Sequence, residues 1–252
     1  MRTTVALLAL FSKECSAHLY KGNPSLTHLW LPAGKWKGSH NAPGATRQVE
    51  ICHGDIEKQG TGALVWFAGK VLCEWLGDGE VEVAGKAVLE LGSGTGAVGI
   101  FAAGLGASRV LLTDGGDQAL LELSEANIEN NRNLFEDDAR ISSLRFRWGD
   151  PVPTAMRDSA WDWVIASDVT YSRESHKPLC ATIEQLLSAV VPPRVVLSHQ
   201  KRLGDPSLDE FCACAEAHGL HASVLSSIER APEGEYDPIA VTLIELKPMA
   251  VS

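Results

Sequence analysis

Short apolar runs alternate with longer segments of helical periodicity along most of the chain. Seven runs are rich in aliphatic and β-branched residues and are typical of strands: 86–91, 109–114, 144–150, 162–168, 194–200, 220–229 and 240–247. Four intervening segments have the spacing of amphipathic helices: 96–106, 117–133, 173–190 and 206–218. Strands that alternate with helices in this way predict a mainly parallel, doubly wound sheet.

The last two predicted strands are separated only by the turn-like sequence APEGEYDP. So short a connection predicts an antiparallel hairpin at one edge of the sheet. The predicted fold class is therefore α/β, with a Rossmann-like, mostly parallel sheet of seven strands, an antiparallel edge hairpin, and helices on both faces.

The N-terminal part of the chain follows a different pattern. Residues 22–46 are rich in Gly, Pro, Ser and Asn, and residues 46–54 alternate like an exposed strand. We therefore expect residues 1–60 to form an extension with a hairpin that packs on the core, and residues 61–252 to form the main domain. The stretch 63–76 predicts an amphipathic helix, on which Trp66 falls about 200° from Leu64 and off the buried stripe.

Composition narrows the class of protein. The chain has 252 residues, 45% of them hydrophobic, and its net charge of −10 opposes attraction to nucleic acid phosphates. No apolar stretch approaches the roughly 20 residues of a membrane span. The six cysteines form no CxxC pair, so we expect reduced thiols, no metal site, and a cytoplasmic or nuclear setting. We also expect a monomer.

The sequence VLELGSGTGAVGI, residues 88–100, carries the strongest functional signal. It predicts a buried strand, a loop containing Gly92, Gly94 and Gly96, and then a helix. Glycines at this point allow a ligand to approach the bare backbone at the switch point of the sheet. The pattern indicates a nucleotide-like cofactor, but it suits dinucleotides and S-adenosylmethionine about equally well.

Two acidic residues bear on the choice between a dinucleotide and S-adenosylmethionine. Glu90 precedes the glycines, where a carboxylate would repel a pyrophosphate and attract a sulfonium or ammonium group. Asp114 ends the second strand, twenty residues after Gly94, where it could accept hydrogen bonds from ribose hydroxyls or instead cap the next helix. Together they favour a cationic nucleoside cofactor.

Two later segments end at the same edge of the sheet. In RWGD, Trp148 could stack on an adenine ring or belong to the core, and Asp150 could accept from the adenine amine. In IASDVTYS, Asp168 and Tyr171 place a carboxylate and a phenol at the mouth of the predicted pocket, although Asp168 could also cap a helix.

These motifs, together with VWFAGKVLCEWL upstream, resemble the seven-strand class I methyltransferases of the protein-lysine branch, which modify chaperones and translation elongation factors. The resemblance covers about residues 48–247. It implies S-adenosylmethionine as cofactor and a protein as substrate. It also implies a set of cofactor contacts, which are Trp66, Gly92, Ser93, Gly94, Asp114, Trp148 and Ser167. The family's acid-x-x-Tyr signature falls on Asp168 and Tyr171, which would face the substrate nitrogen and the transferred methyl.

The chain departs from the family pattern at Ser167 and Thr170, which predicts a more polar pocket edge. Lys201 and Arg202 follow the fifth strand and could receive an acidic stretch of a protein substrate, or lie in a solvated loop. The expected function is transfer of a methyl group to a protein lysine. The alternatives are an NAD(P)-dependent oxidoreductase, a methyltransferase acting on histidine or a small molecule, and a non-catalytic scaffold.

Overall fold

The computed structural model describes residues 26–32, 47–135, 140–157, 159–202, 207–231 and 238–249. Its strands are β1 (Leu26–Leu31), β2 (Arg47–Cys52), β3 (Ala87–Leu91), β4 (Arg109–Asp114), β5 (Arg140–Arg145), β6 (Trp163–Ser167), β7 (Arg194–Gln200), β8 (Leu220–Arg230) and β9 (Ile239–Pro248). Its α-helices are α1 (Ile56–Gln59), α2 (Phe67–Gly77), α3 (Ala97–Gly104), α4 (Gln118–Asn130), α5 (Thr154–Arg157), α6 (Arg173–Leu187) and α7 (Ser207–Ala217). Single 3-10 turns cover Thr61–Ala63 and Arg132–Leu134.

The main sheet has seven strands in the order β5-β4-β3-β6-β7-β9-β8. The first five of these are parallel, and β9 runs antiparallel to both β7 and β8. This arrangement confirms the predicted fold class. The switch point lies between β3 and β4 on one side and β6 on the other, where open α/β sheets bind ligands beyond the carboxyl ends of their strands.

Two hydrophobic clusters cover the two faces of the sheet. Along β3 and β6, successive side chains point to opposite faces, so that Val88 and Ile165 join one cluster while Leu89 and Val164 join the other. The first cluster also takes in residues of α2, α3 and α4, and the second takes in residues of α5, α6 and α7. Because both faces are buried, the central strands are apolar throughout, as a parallel sheet requires.

The N-terminal strands form a separate antiparallel pair, with Leu26 opposite Cys52 and Leu31 opposite Arg47. The prediction of an exposed strand at 46–54 is wrong, because Val49 and Ile51 are fully buried in the cluster that contains α2 and α3. Asn127 of α4 also binds both backbone groups of Cys52, at 2.9 and 3.1 Å. The pair therefore packs on the core, while residues 33–46 of the loop-like segment 22–46 lie outside the described residues. The domain boundary at residue 60 stays a prediction.

Several element boundaries differ from the sequence-based expectation. Strand β5 begins at Arg140 and ends at Arg145, so Trp148 lies in the following loop and does not end a strand. Helix α2 begins at Phe67, so Trp66 precedes the helix and the angle of 200° from Leu64 does not apply to it.

The prediction that the cysteines are reduced is wrong for Cys52. Cys73, Cys180, Cys212 and Cys214 are free thiols, whereas Cys52 is disulfide-bonded. Within the part of the chain that the structure covers, no helix is long and apolar enough to cross a membrane.

Candidate active site

One cavity of about 310 Å³ opens at the carboxyl ends of β3, β4 and β6. The nine residues that the resemblance assigns to the cofactor or the substrate all line it: Trp66, Gly92, Ser93, Gly94, Asp114, Trp148, Ser167, Asp168 and Tyr171. Asp150 does not line it and lies in a separate surface pocket with Arg145 and Arg147. The topology of the sheet thus brings together residues that are up to 105 positions apart in the sequence.

The glycine loop forms the floor of this cavity. Gly92 and Gly94 have φ values of +68° and +51°, which L side chains rarely adopt. A Cβ atom on Gly92 would lie 2.8 Å from atoms of both Trp148 and Val169, and one on Gly94 would lie 2.6 Å from the carbonyl oxygen of Gly62. Only glycine fits this cradle, because both the conformation and the space exclude a side chain.

The Asp114 carboxylate is fixed at the end of β4. It accepts hydrogen bonds from the backbone N–H groups of Gly94 and Gly116, at 2.9 and 2.8 Å. It does not cap α4, because Asp117 occupies the cap position and accepts from the backbone N–H of Leu120. A carboxylate has about four acceptor positions, so Asp114 retains capacity for the hydroxyls of a ribose.

Glu90 lies below the glycine loop with a relative exposure of 1%. Its Oε2 accepts a hydrogen bond from the backbone N–H of Gly99, 2.8 Å away. Desolvation raises the pKa of Glu90 to about 8, the Gly99 bond opposes this rise, and the nearby Asp114 charge adds to it. The expectation of a charged Glu90 is therefore wrong, because its carboxyl group is largely protonated at neutral pH, although a bound cation would favour its ionised form.

Trp148 lies against Gly92, and its ring forms part of the cavity lining. Its indole Nε1 is buried and has no hydrogen-bond partner among the described residues. Buried donors are normally satisfied, so an unpartnered one at a cavity wall points to a ligand that accepts a hydrogen bond or covers the ring. This observation fits a nucleoside cofactor.

The segment before α2 also lines the cavity, and the sequence motifs indicated its Trp66 but not its Thr61. The indole Nε1 of Trp66 donates to the backbone carbonyl of Thr61 at 2.9 Å. The hydroxyls of Thr61 and Tyr171 form a hydrogen bond of 3.1 Å. Thr61 thus links Trp66 to Tyr171, which lies 110 residues after Thr61, and no local pattern in TGA, residues 61–63, signals that role.

Asp168 has an unusual backbone conformation. Its φ of +53° is the one positive value among the described residues other than glycine. Its backbone N–H donates to the carbonyl of Ser198 on β7 at 2.8 Å. Asp168 does not cap α6, because Ser172 occupies that position. Strained backbone of this kind is held in place by its surroundings and is concentrated at functional sites.

The Asp168 side chain forms a two-pronged ion pair with Arg202. Nη1 and Nη2 of Arg202 donate to Oδ1 and Oδ2 of Asp168 at 3.1 and 2.6 Å. The interpretation of Arg202 as a receptor for an acidic stretch of substrate is therefore wrong, because its guanidinium is committed to this carboxylate. The expected polar effect of Thr170 is also wrong, because Thr170 is fully buried and its hydroxyl bonds to Nδ1 of His199 at 2.7 Å.

The cavity thus has the donors and acceptors that a cationic nucleoside requires. It combines a backbone cradle, a carboxylate for hydroxyl groups, an aromatic ring with an unpaired donor, and a second carboxylate beside a phenol. With the doubly wound sheet, this set defines a class of Rossmann-like proteins that bind a nucleotide-type cofactor at the switch point.

Comparison with known proteins assigns the chain to one family within this class of cofactor-binding proteins. Residues 47–213 match the family model described as lysine methyltransferase, so the chain belongs to that family. Over 135 residues the chain is 38% identical to Protein N-lysine methyltransferase METTL21A of Danio rerio, covering 53% of this chain and 59% of that protein. It is 32% identical to the Calmodulin-lysine N-methyltransferase of Arabidopsis thaliana, over 62% and 50% of the two chains. It is also 32% identical to the Protein-lysine N-methyltransferase EFM6 of Saccharomyces cerevisiae, over 61% and 69%.

Solved structures agree on the fold. A candidate S-adenosylmethionine-dependent methyltransferase from Streptococcus mutans aligns over 91% of this chain and 58% of its own, with a TM-score of 0.56 and 17% identity. The chain spans only 59% and 50% of the first two curated relatives, so family membership does not carry over their whole activity. The family and the cavity together identify S-adenosylmethionine as the cofactor.

Proposed function

We propose that this protein transfers a methyl group from S-adenosylmethionine to a lysine side chain of a protein substrate. The observation that carries the proposal is the placement of the Asp168 carboxylate and the Tyr171 phenol on the wall of the same cavity as the glycine cradle. Family membership supports the reaction class. It also speaks against the NAD(P)-dependent alternative.

Different residues of the cavity would bind different parts of the cofactor. The backbone of Gly92, Ser93 and Gly94 would lie along its chain, Asp114 would accept from the ribose, and the Trp148 ring would cover the adenine. Trp66 and Ser167 would close the end where the methyl lies. When bound, S-adenosylmethionine supplies an electrophilic methyl carried on a positively charged sulfur.

The remaining task is to position a neutral lysine nitrogen about 3 Å from that methyl, in line with the departing sulfur. Asp168 is suited to orient the amine, because Ser198 of β7 fixes its backbone and Arg202, just after β7, fixes its carboxylate. Tyr171 is 49% exposed, and the Thr61 hydroxyl holds its phenol. It would wall the methyl site and contact the aliphatic part of the lysine at the mouth.

The substrate is proposed to be a protein with lysine on an exposed, basic surface, because the net charge of −10 favours such a partner. The resemblance noted from the sequence suggests chaperones or translation factors. One relative is named for calmodulin-lysine methylation, which also points to a protein target. We further propose that the protein acts as a monomer in the cytoplasm or nucleus, without nucleic acid or membrane partners.

The test is incubation of the protein with tritiated S-adenosylmethionine and cell lysate, followed by mass spectrometry of the labelled residue. Wild type should give methyllysine in one or a few proteins, and Asp168→Asn should give almost none. Asp78→Asn, an exposed carboxylate outside the cavity, is the matched control and should label like wild type. Label found on histidine or on a small molecule would reject the lysine assignment, and no label at all would reject the activity.

A further inference from the structure

Arg202 contacts a residue of the candidate site, but the reaction described above gives Arg202 no role. It follows β7 by two positions and reaches back to Asp168 with both guanidinium nitrogens. The Asp168 side chain is only 3% exposed, whereas that of Arg202 is 36% exposed. The guanidinium carbon also lies 5.8 Å from the ring centres of both Trp66 and Tyr171. Arg202 is thus placed behind the proposed methyl site and between its two aromatic walls.

A buried carboxylate beside the substrate poses a charge problem. Free lysine has a pKa near 10.4, so at pH 7 only about one side chain in a few thousand carries the lone pair that attacks a methyl. A nearby unpaired carboxylate stabilises the ammonium form and reduces that fraction further. A carboxylate paired with a guanidinium adds little net charge, yet it keeps lone pairs with which it can accept a hydrogen bond from an N–H of the amine.

We propose that Arg202 is a positioning residue that fixes Asp168 as a hydrogen-bond acceptor and cancels its charge, so that the substrate lysine is received as a neutral amine. This inference rests on the proposed function. The lysine first gives one proton to water. Its nitrogen lone pair then forms the N–C bond as the C–S bond breaks, the bonding pair stays on sulfur, and the positive charge passes to the methylated nitrogen. The product amine loses its extra proton to water.

The other charged groups around the amine site do not replace Arg202. The cavity wall also carries Glu90, Asp114, Arg147 and Tyr171, and of these only Arg147 is a cation. Behind Asp168, the ring nitrogens of His176 and His199 bond to Thr170, to its carbonyl at 2.8 Å and its hydroxyl at 2.7 Å. Among the described residues, Arg202 is the cation in direct contact with the Asp168 carboxylate.

The test compares Arg202→Met and Arg202→Lys with wild type. Initial rates of tritium transfer from saturating S-adenosylmethionine to the labelled protein, purified and also supplied at saturating concentration, are measured between pH 6 and pH 11, so that the profile reports the bound amine. Without the guanidinium, the midpoint of the alkaline rise should move up by about one pH unit, with about a tenfold loss of rate at pH 7 that shrinks once the pH passes the wild-type midpoint. Arg202→Lys keeps the charge and should restore the midpoint, though not the full rate. Calorimetric affinity for S-adenosylmethionine should stay within about twofold, because Arg202 does not line the cofactor cavity.

Arg194→Met is the matched control. Arg194 lies at the other end of β7 and pairs with the buried Glu245 at 2.8 Å, outside the cavity. Its loss removes a similar ion pair from the strand that precedes Arg202 and should leave the midpoint unchanged. If Arg202→Met lost the same fraction of the rate at every pH, the proposal would be overturned, because Arg202 would then have a purely structural role. A faster Arg202→Met enzyme at pH 7 would also overturn it, since Arg202 would then be obstructing the lysine. If wild type transfers no label, the proposed function itself fails, and the calorimetry still reports whether the cofactor site is intact.

Discussion

Glu90 and Gly99 are joined by a hydrogen bond of 2.8 Å from the Gly99 backbone N–H to the Glu90 carboxyl oxygen, in a position closed to solvent. This bond ties the end of β3 to the first turns of α3 and so fixes the shape of the glycine loop between them. Burial nevertheless raises the pKa of Glu90 from 4.5 to about 8. The carboxyl group therefore supports the fold in its protonated form.

The first prediction concerns the pH dependence of stability. Because the folded protein binds the Glu90 proton more tightly than the unfolded chain does, the stability that Glu90 contributes is complete below about pH 4.5 and is lost as the pH rises toward 8. The slope is about 1.4 kcal/mol per pH unit within this window. Glu90→Gln mimics the protonated form, so between pH 5.5 and 7.5 it should gain about 2–3 kcal/mol relative to wild type.

Urea unfolding of wild type and Glu90→Gln across this range measures the effect. Glu80→Gln removes an exposed carboxyl group and is the control, with an expected difference from wild type that does not vary with pH. A constant difference for Glu90→Gln as well would show that Glu90 titrates alike in the folded and unfolded chain, and the prediction would be wrong.

The second prediction separates backbone strain from lack of space in the glycine loop. Gly85 and Gly92 have similar φ values of +75° and +68°, but a Cβ on Gly85 would meet nothing within 4 Å. Gly85→Ala should cost only the strain of the left-handed conformation, about 1–2 kcal/mol. Gly92→Ala should cost about 1–3 kcal/mol more, because its Cβ would collide with Trp148 and Val169.

Gly92→Ala should also weaken S-adenosylmethionine binding by about tenfold or more, whereas Gly85→Ala should leave it unchanged. Urea unfolding and calorimetry provide the two readouts. If both variants bound the cofactor like wild type, Gly92 would serve only the fold and the cradle interpretation would have to be abandoned.

Hydrophobic periodicity was sufficient to predict the sheet and its helices, because in a doubly wound fold each face of the sheet imposes a repeat on the strands and on the helices that cover them. Periodicity gave wrong predictions where tertiary contacts decide which residues form a strand or are buried. Polar Ser142 and Ser143 pair with β4 in β5, so the apolar run from Leu144 onward misplaced the strand. Val49 and Ile51 are buried only because α2 and α3 lie over them.

The site residues that come directly after a strand could be predicted from the sequence, since the carboxyl ends of parallel strands meet at one edge of the sheet. Two contacts were beyond the reach of the sequence. The Asp168–Arg202 pair depends on the left-handed φ of Asp168, and that conformation is set by a hydrogen bond to β7. Thr61 lies in a short turn whose approach to Tyr171 depends on the packing of α2.

The third prediction concerns the hydrogen bond between Thr61 and Tyr171. Thr61→Val removes the hydroxyl while keeping the shape and the carbonyl that binds Trp66, and Tyr171→Phe removes the other partner. Each variant should lower the methylation rate several-fold by releasing the phenol ring. The double variant should be no worse than the poorer single one, with a coupling of about 0.5–1.5 kcal/mol, because both changes break one bond. Tritium transfer to lysate protein measures the rates, and strictly multiplicative losses would argue that the two hydroxyls act independently.

The last prediction uses the backbone of Asp168 to separate its structural role from its chemical role. Asn adopts the left-handed conformation several-fold more readily than most residues, whereas Ala is strained there. Asp168→Asn should therefore be about 1 kcal/mol more stable than Asp168→Ala in urea unfolding. Both should bind S-adenosylmethionine almost as wild type does, and both should lose most methyl transfer, because neither retains a carboxylate to pair with Arg202 and orient the amine. An Asp168→Asn enzyme with wild-type turnover would show that an amide oxygen is enough and that the charge of Asp168 has no role in the reaction. Equal stability of the two variants would show instead that the chain at residue 168 relaxes once the ion pair is gone.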